Sequence, residues 1–245
     1  VGGHNVGDEY MGRDPEFGHW RDTHVRITGP AALAVQLTFL EDWHWATDEI
    51  PELGWEPHLP EGDGKDVLIF PTGPADELES ATLMFLTAIN AARERIWIAS
   101  PYFVPDESVM NALHLAALRG ADVRIIIPDK ADHTLVWLAA FSYFKEAQLT
   151  GIRFFRYMKG FLHQKVVLVD DEISGIGTAN FDNRSFRLNF EIMAVVADHA
   201  FNQEVEQMLL ADMEDSVEMQ PGDLDDKSFG FRLAVRLARL TAPIQ

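Results

Sequence analysis

The stretch FLHQKVVLVDDEISGIGTAN, from Phe161 to Asn180, decides how the rest of the chain is read. It places a His and a Lys two residues apart at the head of an apolar run, VVLV. It ends that run on Asp170 and turns back through ISGIG to Gly177, Thr178 and Asn180. Side chains alternate along a strand, so His163 and Lys165 share one face and Gln164 points the other way. The spacing predicts two neighbouring strands whose turn-back returns Thr178 and Asn180 to His163 and Lys165. Such a set suits a phosphodiester. Lys offers a point charge to phosphate oxygens, Asn and Thr offer neutral donors, and a neutral imidazole can attack phosphorus or move a proton near pH 7. A lone H-x-K is ordinary strand sequence. The five positions of H-x-K-x4-D-x6-G-x2-N coincide by chance in on the order of one in 10⁴ chains this long, which sets aside a structural His beside a surface Lys.

Working outward, short apolar strands alternate with helical stretches. VLIF (67–70), RIWIAS (95–100), VRIII (123–127) and IRFFRY (152–157) read as strands, as do HQKVVLV, EISGIG and 191–196. THVRI (23–27) alternates as a further short strand. Helices are expected at 31–46, 76–93, 105–120, from a cap at Asp132 to about Leu149, and at 199–213. The first acids of 76–93 sit where a helix dipole favours them, and Gly120 can close the third helix. This order predicts an α/β fold, a mixed β-sheet flanked by helices on both faces. The Pro-, Gly- and acid-rich stretch 50–66 is the best boundary. It separates residues 1–60, a C-terminal remnant of a preceding unit, from a full unit at 66–215. Residues 216–245 form a tail.

At 245 residues and 47% hydrophobic, the chain can bury a sizeable core. Its formal charge of −19 argues against binding nucleic acid. Cysteine is absent, which excludes disulfides and thiolate-bound metal. No apolar run approaches the roughly 20 residues that span a bilayer. His4, His19, His24, His44 and His58 have spacings that fit no metal-ligand pattern. Trp43 and Trp45 are expected in packing. The segment SFGFRLAVRLARL (228–240) sets Arg232, Arg236 and Arg239 beside a Leu233, Leu237 and Leu240 stripe at helical spacing. Such a helix either docks on the core with its Arg face wet or lies on a membrane surface.

The motif H-x-K-x4-D-x6-G-x2-N resembles the HKD motif of the phospholipase D superfamily. SPYFVPDE (100–107), PDKADHTLVWLA (128–139), GFLHQK (160–165), RSFRLNFE (184–191) and WRDTHVRITGPA (20–31) are most like bacterial cardiolipin synthases. The resemblance implies the phospholipase D fold, here one full domain plus the end of a preceding homologous domain. It implies a site made by two HKD motifs, a phosphohistidine intermediate, and neither metal nor organic cofactor. It implies phosphatidylglycerol and the bacterial inner membrane surface as partners. The reaction would move a phosphatidyl group between two phosphatidylglycerols, giving cardiolipin and glycerol. The alternatives left open are a hydrolytic phospholipase D, a nuclease of the superfamily, and a non-catalytic membrane module.

Carried onto this chain, His163 is nucleophile or general acid and Lys165 clamps phosphate. Asp170 completes the catalytic motif, while Asn180 and Thr178 bind phosphate. An acid that fixes the imidazole from its other nitrogen is also implied, and Glu191 is the candidate; such a carboxylate favours the imidazolium. Gly2 and Asn5 match the G-x-x-N end of a first motif, so Asn5 is a further phosphate ligand. Asp22 corresponds to Glu191. The chain is therefore expected to begin within a first motif, whose His would lie about thirteen residues ahead of Val1. The chain alone would then hold half a site and be inactive.

Overall fold

The structure, a computed structural model, describes residues 1–59, 62–130 and 132–242. In chain order its elements are β1 (Trp20–Arg21), α1 (Ala31–Thr47), β2 (Asp66–Thr72), α2 (Ser80–Ala91), β3 (Arg95–Ala99), β4 (Phe103–Val104), α3 (Glu107–Leu118), β5 (Asp122–Pro128), α4 (Thr134–Gln148) and β6 (Arg153–Tyr157). There follow β7 (Phe161–Leu162), β8 (Val166–Val169), β9 (Ile173–Gly177), β10 (Phe181–Asp182), α5 (Asn183–Arg187), β11 (Glu191–Ala197), α6 (His199–Glu214), β12 (Ser216–Glu218) and α7 (Phe229–Arg239).

Eight strands form one mixed sheet in the order β12-β6-β5-β3-β8-β9-β11-β2. The pairs β3–β5 and β5–β6 are parallel, and the remaining neighbours run antiparallel. The central strands are apolar on both faces because both faces are covered. Along β3, Ile96 and Ile98 enter one core with α2, α3 and α4, while Trp97 and Ala99 enter a second core with Leu209 and Met213 of α6. Period-two alternation thus builds two cores from one strand. Asp106 caps α3 by accepting from Val109 N–H at 2.9 Å, and Gly120, at φ 101°, closes the turn after it.

Several expectations are revised. THVRI is not a strand. Among the described residues its β partner is the chain's first residues, through a Gly2–His24 bridge and reciprocal Val1–Val25 hydrogen bonds, with no second neighbour to extend a ladder. The strand there is β1, just upstream. VLIF lies in an edge strand, not a buried one; Leu68 is 57% exposed. Helix α2 starts at Ser80, four residues later than its acids suggest. Asp132 does not cap α4: one carboxylate oxygen accepts from the Tyr102 hydroxyl at 2.5 Å and the other from the next residue's N–H. The sheet takes in Ser216–Glu218, past 215, and α7 of the tail packs on α4. Residues 60 and 61, where the first boundary falls, and the terminal 243–245 lie outside the described residues. Among the described residues no helix is long and apolar enough to cross a membrane.

Candidate active site

His163 and Lys165 do not lie within one strand. They occupy the link between β7, which pairs in parallel with β1, and β8, which enters the main sheet. The link is extended enough to keep the alternation. Gln164 points inward and is fully buried. It accepts from the Thr23 hydroxyl at 2.5 Å and donates to Asp212 at 2.6 Å. Asp212 in turn holds the Arg21 guanidinium in a two-pronged pair at 2.7 and 2.8 Å. This buried network fixes the link to α6 and to the N-terminal segment. His163 and Lys165 face the opposite side.

Lys165 Nζ lies 3.0 Å from His163 Nε2 and donates to the His163 carbonyl at 2.5 Å. An ammonium only donates, so Nε2 must accept and the ring proton sits on Nδ1. Nδ1–H then donates to Asp22 Oδ2 at 3.0 Å. The tautomer is set from both sides of the ring. Trp20 and Tyr10 pack against the imidazole with centroids 5.0 and 5.6 Å away. Gly3 lets the N-terminal segment pass close by: a Cβ there would meet the Asp22 carboxylate and the His163 carbonyl at under 3.0 Å.

The expected imidazolium is not what the surroundings favour. Burial pulls the His163 pKa down, and the neighbouring Lys165 charge adds to this, which together outweigh the bond to Asp22. The imidazole is therefore neutral at pH 7. Burial also brings Lys165 down to about 8, against the opposing pull of Asp22, Glu191, Asp132 and Asp182. Burial pushes Asp22 up, but His163, Lys165 and the Thr23 N–H outweigh it and hold the carboxyl below its usual range.

The acid on His163 is Asp22, then, and not Glu191. Glu191 is buried at the start of β11 and accepts from Thr178 Oγ1 at 2.5 Å, Ser185 Oγ at 2.8 Å and Asn189 Nδ2 at 3.2 Å. Burial raises its pKa despite these bonds. Thr178 spends its one hydroxyl proton on Glu191 and accepts from Ile192 N–H, so it positions Glu191 and has no proton for a phosphate. Asn180 has its backbone N–H held by Ser185 Oγ, and its buried Oδ1, which can only accept, has no partner among the described residues. Asn5 is exposed, and its amide oxygen accepts from the next residue's N–H.

Asp170 is not in the site. It lies at the far end of β8, roughly 15 Å along the strand from Lys165, with a left-handed φ of 48°. Its carboxylate accepts from the N–H groups of Arg93, Glu94 and Arg95, each at 2.9 Å. Burial pushes its pKa up, but these N–H groups and the Arg95 charge outweigh that and lower it. The motif's Asp ties the α2–β3 connection to the β8–β9 turn. Asp170→Asn is expected to cost about 1–3 kcal/mol of stability with turnover per folded molecule unchanged; denaturant unfolding beside active-site titration checks both.

The proposed kinship of the first residues to a second motif has a geometric counterpart. Gly177 pairs with Met193, two residues beyond Glu191, and a Cβ on it would strike the Ile192 carbonyl. Gly2 bridges His24, two residues beyond Asp22, and a Cβ on it would strike the Thr23 carbonyl. The helices that follow, α6 and α1, are 16 and 17 residues long. Ser185, Gln164, Asp212 and Tyr10 carry no motif signal as site residues. Each acts through a fold contact: Ser185 and Gln164 lie in RSFRLNFE and GFLHQK, while Asp212 and Tyr10 lie far from the H-x-K motif in sequence.

The order of the sheet and its covering helices define a fold class. Residues overlap the phospholipase D family member Nuc from Salmonella typhimurium with a TM-score of 0.53, 21% identity, and coverage of 63% of this chain and 99% of that one. Phosphatidylserine synthase from Haemophilus influenzae gives 0.57 and 17% over 78% and 51%. The fold is that of phospholipase D. Residues 85–213 match the family described as cardiolipin synthase, PLD-like domain, and the chain belongs to it. Cardiolipin synthase A of Pseudomonas fluorescens is 52% identical over the whole chain, and that of Pseudomonas aeruginosa 51%. The chain spans about half the length of these curated relatives: 51% and 50%.

Proposed function

We propose that this chain carries one half of a cardiolipin synthase site, working on phosphatidylglycerol at the inner membrane of a bacterium, with no nucleic-acid partner. The observation that carries the reading is a neutral imidazole whose Nε2 lone pair faces a buried ammonium. A phosphodiester entering between them takes the Lys165 charge on its oxygens and brings phosphorus to Nε2. Nε2 attacks, the bond from phosphorus to the glycerol oxygen breaks, and the leaving oxygen takes a proton. Phosphatidyl-His163 remains, with Asp22 balancing the charge that forms on the ring. The hydroxyl of a second phosphatidylglycerol then gives up its proton, attacks phosphorus and releases His163. That proton donor and acceptor is assigned to the imidazole of a first motif in a preceding half. Asp22, from the N-terminal segment, serves the imidazole of the second motif. By the same exchange Glu191 serves the first.

Full-length protein given phosphatidylglycerol should yield cardiolipin and glycerol. Phosphatidic acid as the main product would instead mark the enzyme as a hydrolase. The rate should also follow pH in a bell. kcat/KM falls on the acid side as His163 gains a proton, below the usual histidine range. It falls on the alkaline side near pH 8 as Lys165 loses one. A flat profile from pH 7 to 10 would contradict a required Lys165 ammonium.

A further inference from the structure

Helix α7 is docked by one side only. Phe231 packs on Trp137 and Phe141 of α4, Val235 and Ala238 are buried, and Arg239 lies over Tyr143 and pairs with Glu146. The opposite side is left open, and it is not polar. Phe229, Leu233, Leu237 and Leu240 are 75%, 45%, 56% and 76% exposed along one stripe. Arg232 and Arg236 run alongside it, exposed and without an acidic partner among the described residues. Two acids from segments beside the helix are engaged by other cations, Asp225 by Lys145 and Glu146 by Arg239. A helix only needing solubility would not expose four large apolar side chains in register.

We propose that the outer face of α7 is a docking surface for an anionic lipid bilayer. The leucine stripe enters the boundary between headgroups and acyl chains, and Arg232 and Arg236 reach the lipid phosphates. Arg232 and Arg236 beside an apolar stripe make this face locally basic, which is complementary to a negatively charged surface that would repel the rest of a chain of net charge −19. The helix is also tied to the candidate site. Just beyond its end, the Ala242 carbonyl accepts from Asn183 Nδ2, which also donates to the Val104 carbonyl. Asn183 stands three residues from Asn180. A docked α7 therefore holds the wall that carries Asn180 at the lipid surface.

The test is co-sedimentation of the 245-residue chain with mixed phosphatidylglycerol–phosphatidylcholine vesicles and with phosphatidylcholine alone. It needs no catalysis, so its failure is distinct from failure of the transferase reading. The unaltered chain should partition onto the anionic vesicles and release as salt rises. Arg232→Gln with Arg236→Gln should lower partitioning roughly 30-fold at low salt. Leu233→Gln with Leu237→Gln should lower it at least about tenfold on both vesicle types. All four positions are exposed, and circular dichroism confirms that each variant is folded. An unaltered chain that stays in solution overturns the proposal. So do variants that bind as well as the parent, or a leucine variant that only dissolves a dimer.

Discussion

Replacing His163 with alanine abolishes cardiolipin formation by the full-length protein, with kcat/KM down by at least about 10⁴-fold. The magnitude follows from the role. Nε2 carries the lone pair assigned to bond phosphorus and faces the Lys165 charge at 3.0 Å. Alanine leaves nothing to form the covalent bond. The fold should survive, because the link holding His163 is anchored by Gln164, Asp212 and Thr23 and not by the imidazole. Product analysis by thin-layer chromatography, with thermal unfolding as control, checks both halves of the statement. A variant that retains a tenth of the parent rate would remove His163 from the chemistry.

Changing Asp22 to asparagine is expected to cost about 10³–10⁴-fold in kcat, on the scale of losing a carboxylate that orients a catalytic imidazole. Asparagine is nearly the same size, so it probes charge and tautomer more than packing. The crowding by Gly3 and Trp20 remains as it was. What changes is that the amide can present its NH₂ to Nδ1, moving the ring proton to Nε2 and occupying the lone pair that attacks. The positive ring of the phosphohistidine also loses its counter-charge. The pH profile separates this from a loose structure. Without the Asp22 charge the His163 pKa falls further, so the acid limb of kcat/KM moves to lower pH. A variant with a reduced rate and an unmoved acid limb would make Asp22 merely structural.

The second half of the site was readable because its spacing is local. β8 and β9 are joined by a tight turn, so the returning strand brings Gly177 N–H to the Lys165 carbonyl at 3.2 Å whatever the rest of the chain does. The mixed sheet covered on both faces was readable for a similar reason, since the central strands β3, β8 and β9 are largely apolar and helices α2, α3, α4 and α6, of 12 to 16 residues, are long enough to cover them. What spacing could not show were contacts closed over long separations. Asp22 reaches His163 across 141 residues, and local order made Glu191 the nearer candidate. Asp170 shared the motif, but a motif does not say which end of a strand its members occupy. THVRI had the alternation of a strand, yet a strand needs backbone neighbours, and among the described residues its β-bridge is to Gly2, with Val1 bonded beside it. Thr178 carries the right hydroxyl, but its proton goes to Glu191.

The central claim, that His163 bonds phosphorus while Asp22 and Lys165 fix its ring, is tested most directly by trapping the covalent state. Full-length protein is mixed with phosphatidylglycerol, quenched in alkali to protect the phosphorus–nitrogen bond, digested and examined by mass spectrometry. A phosphatidyl group on the peptide containing His163, lost in His163→Ala and much reduced in Asp22→Asn, is the predicted result. An adduct found only on a histidine upstream of Val1, with His163 unmodified, would contradict it.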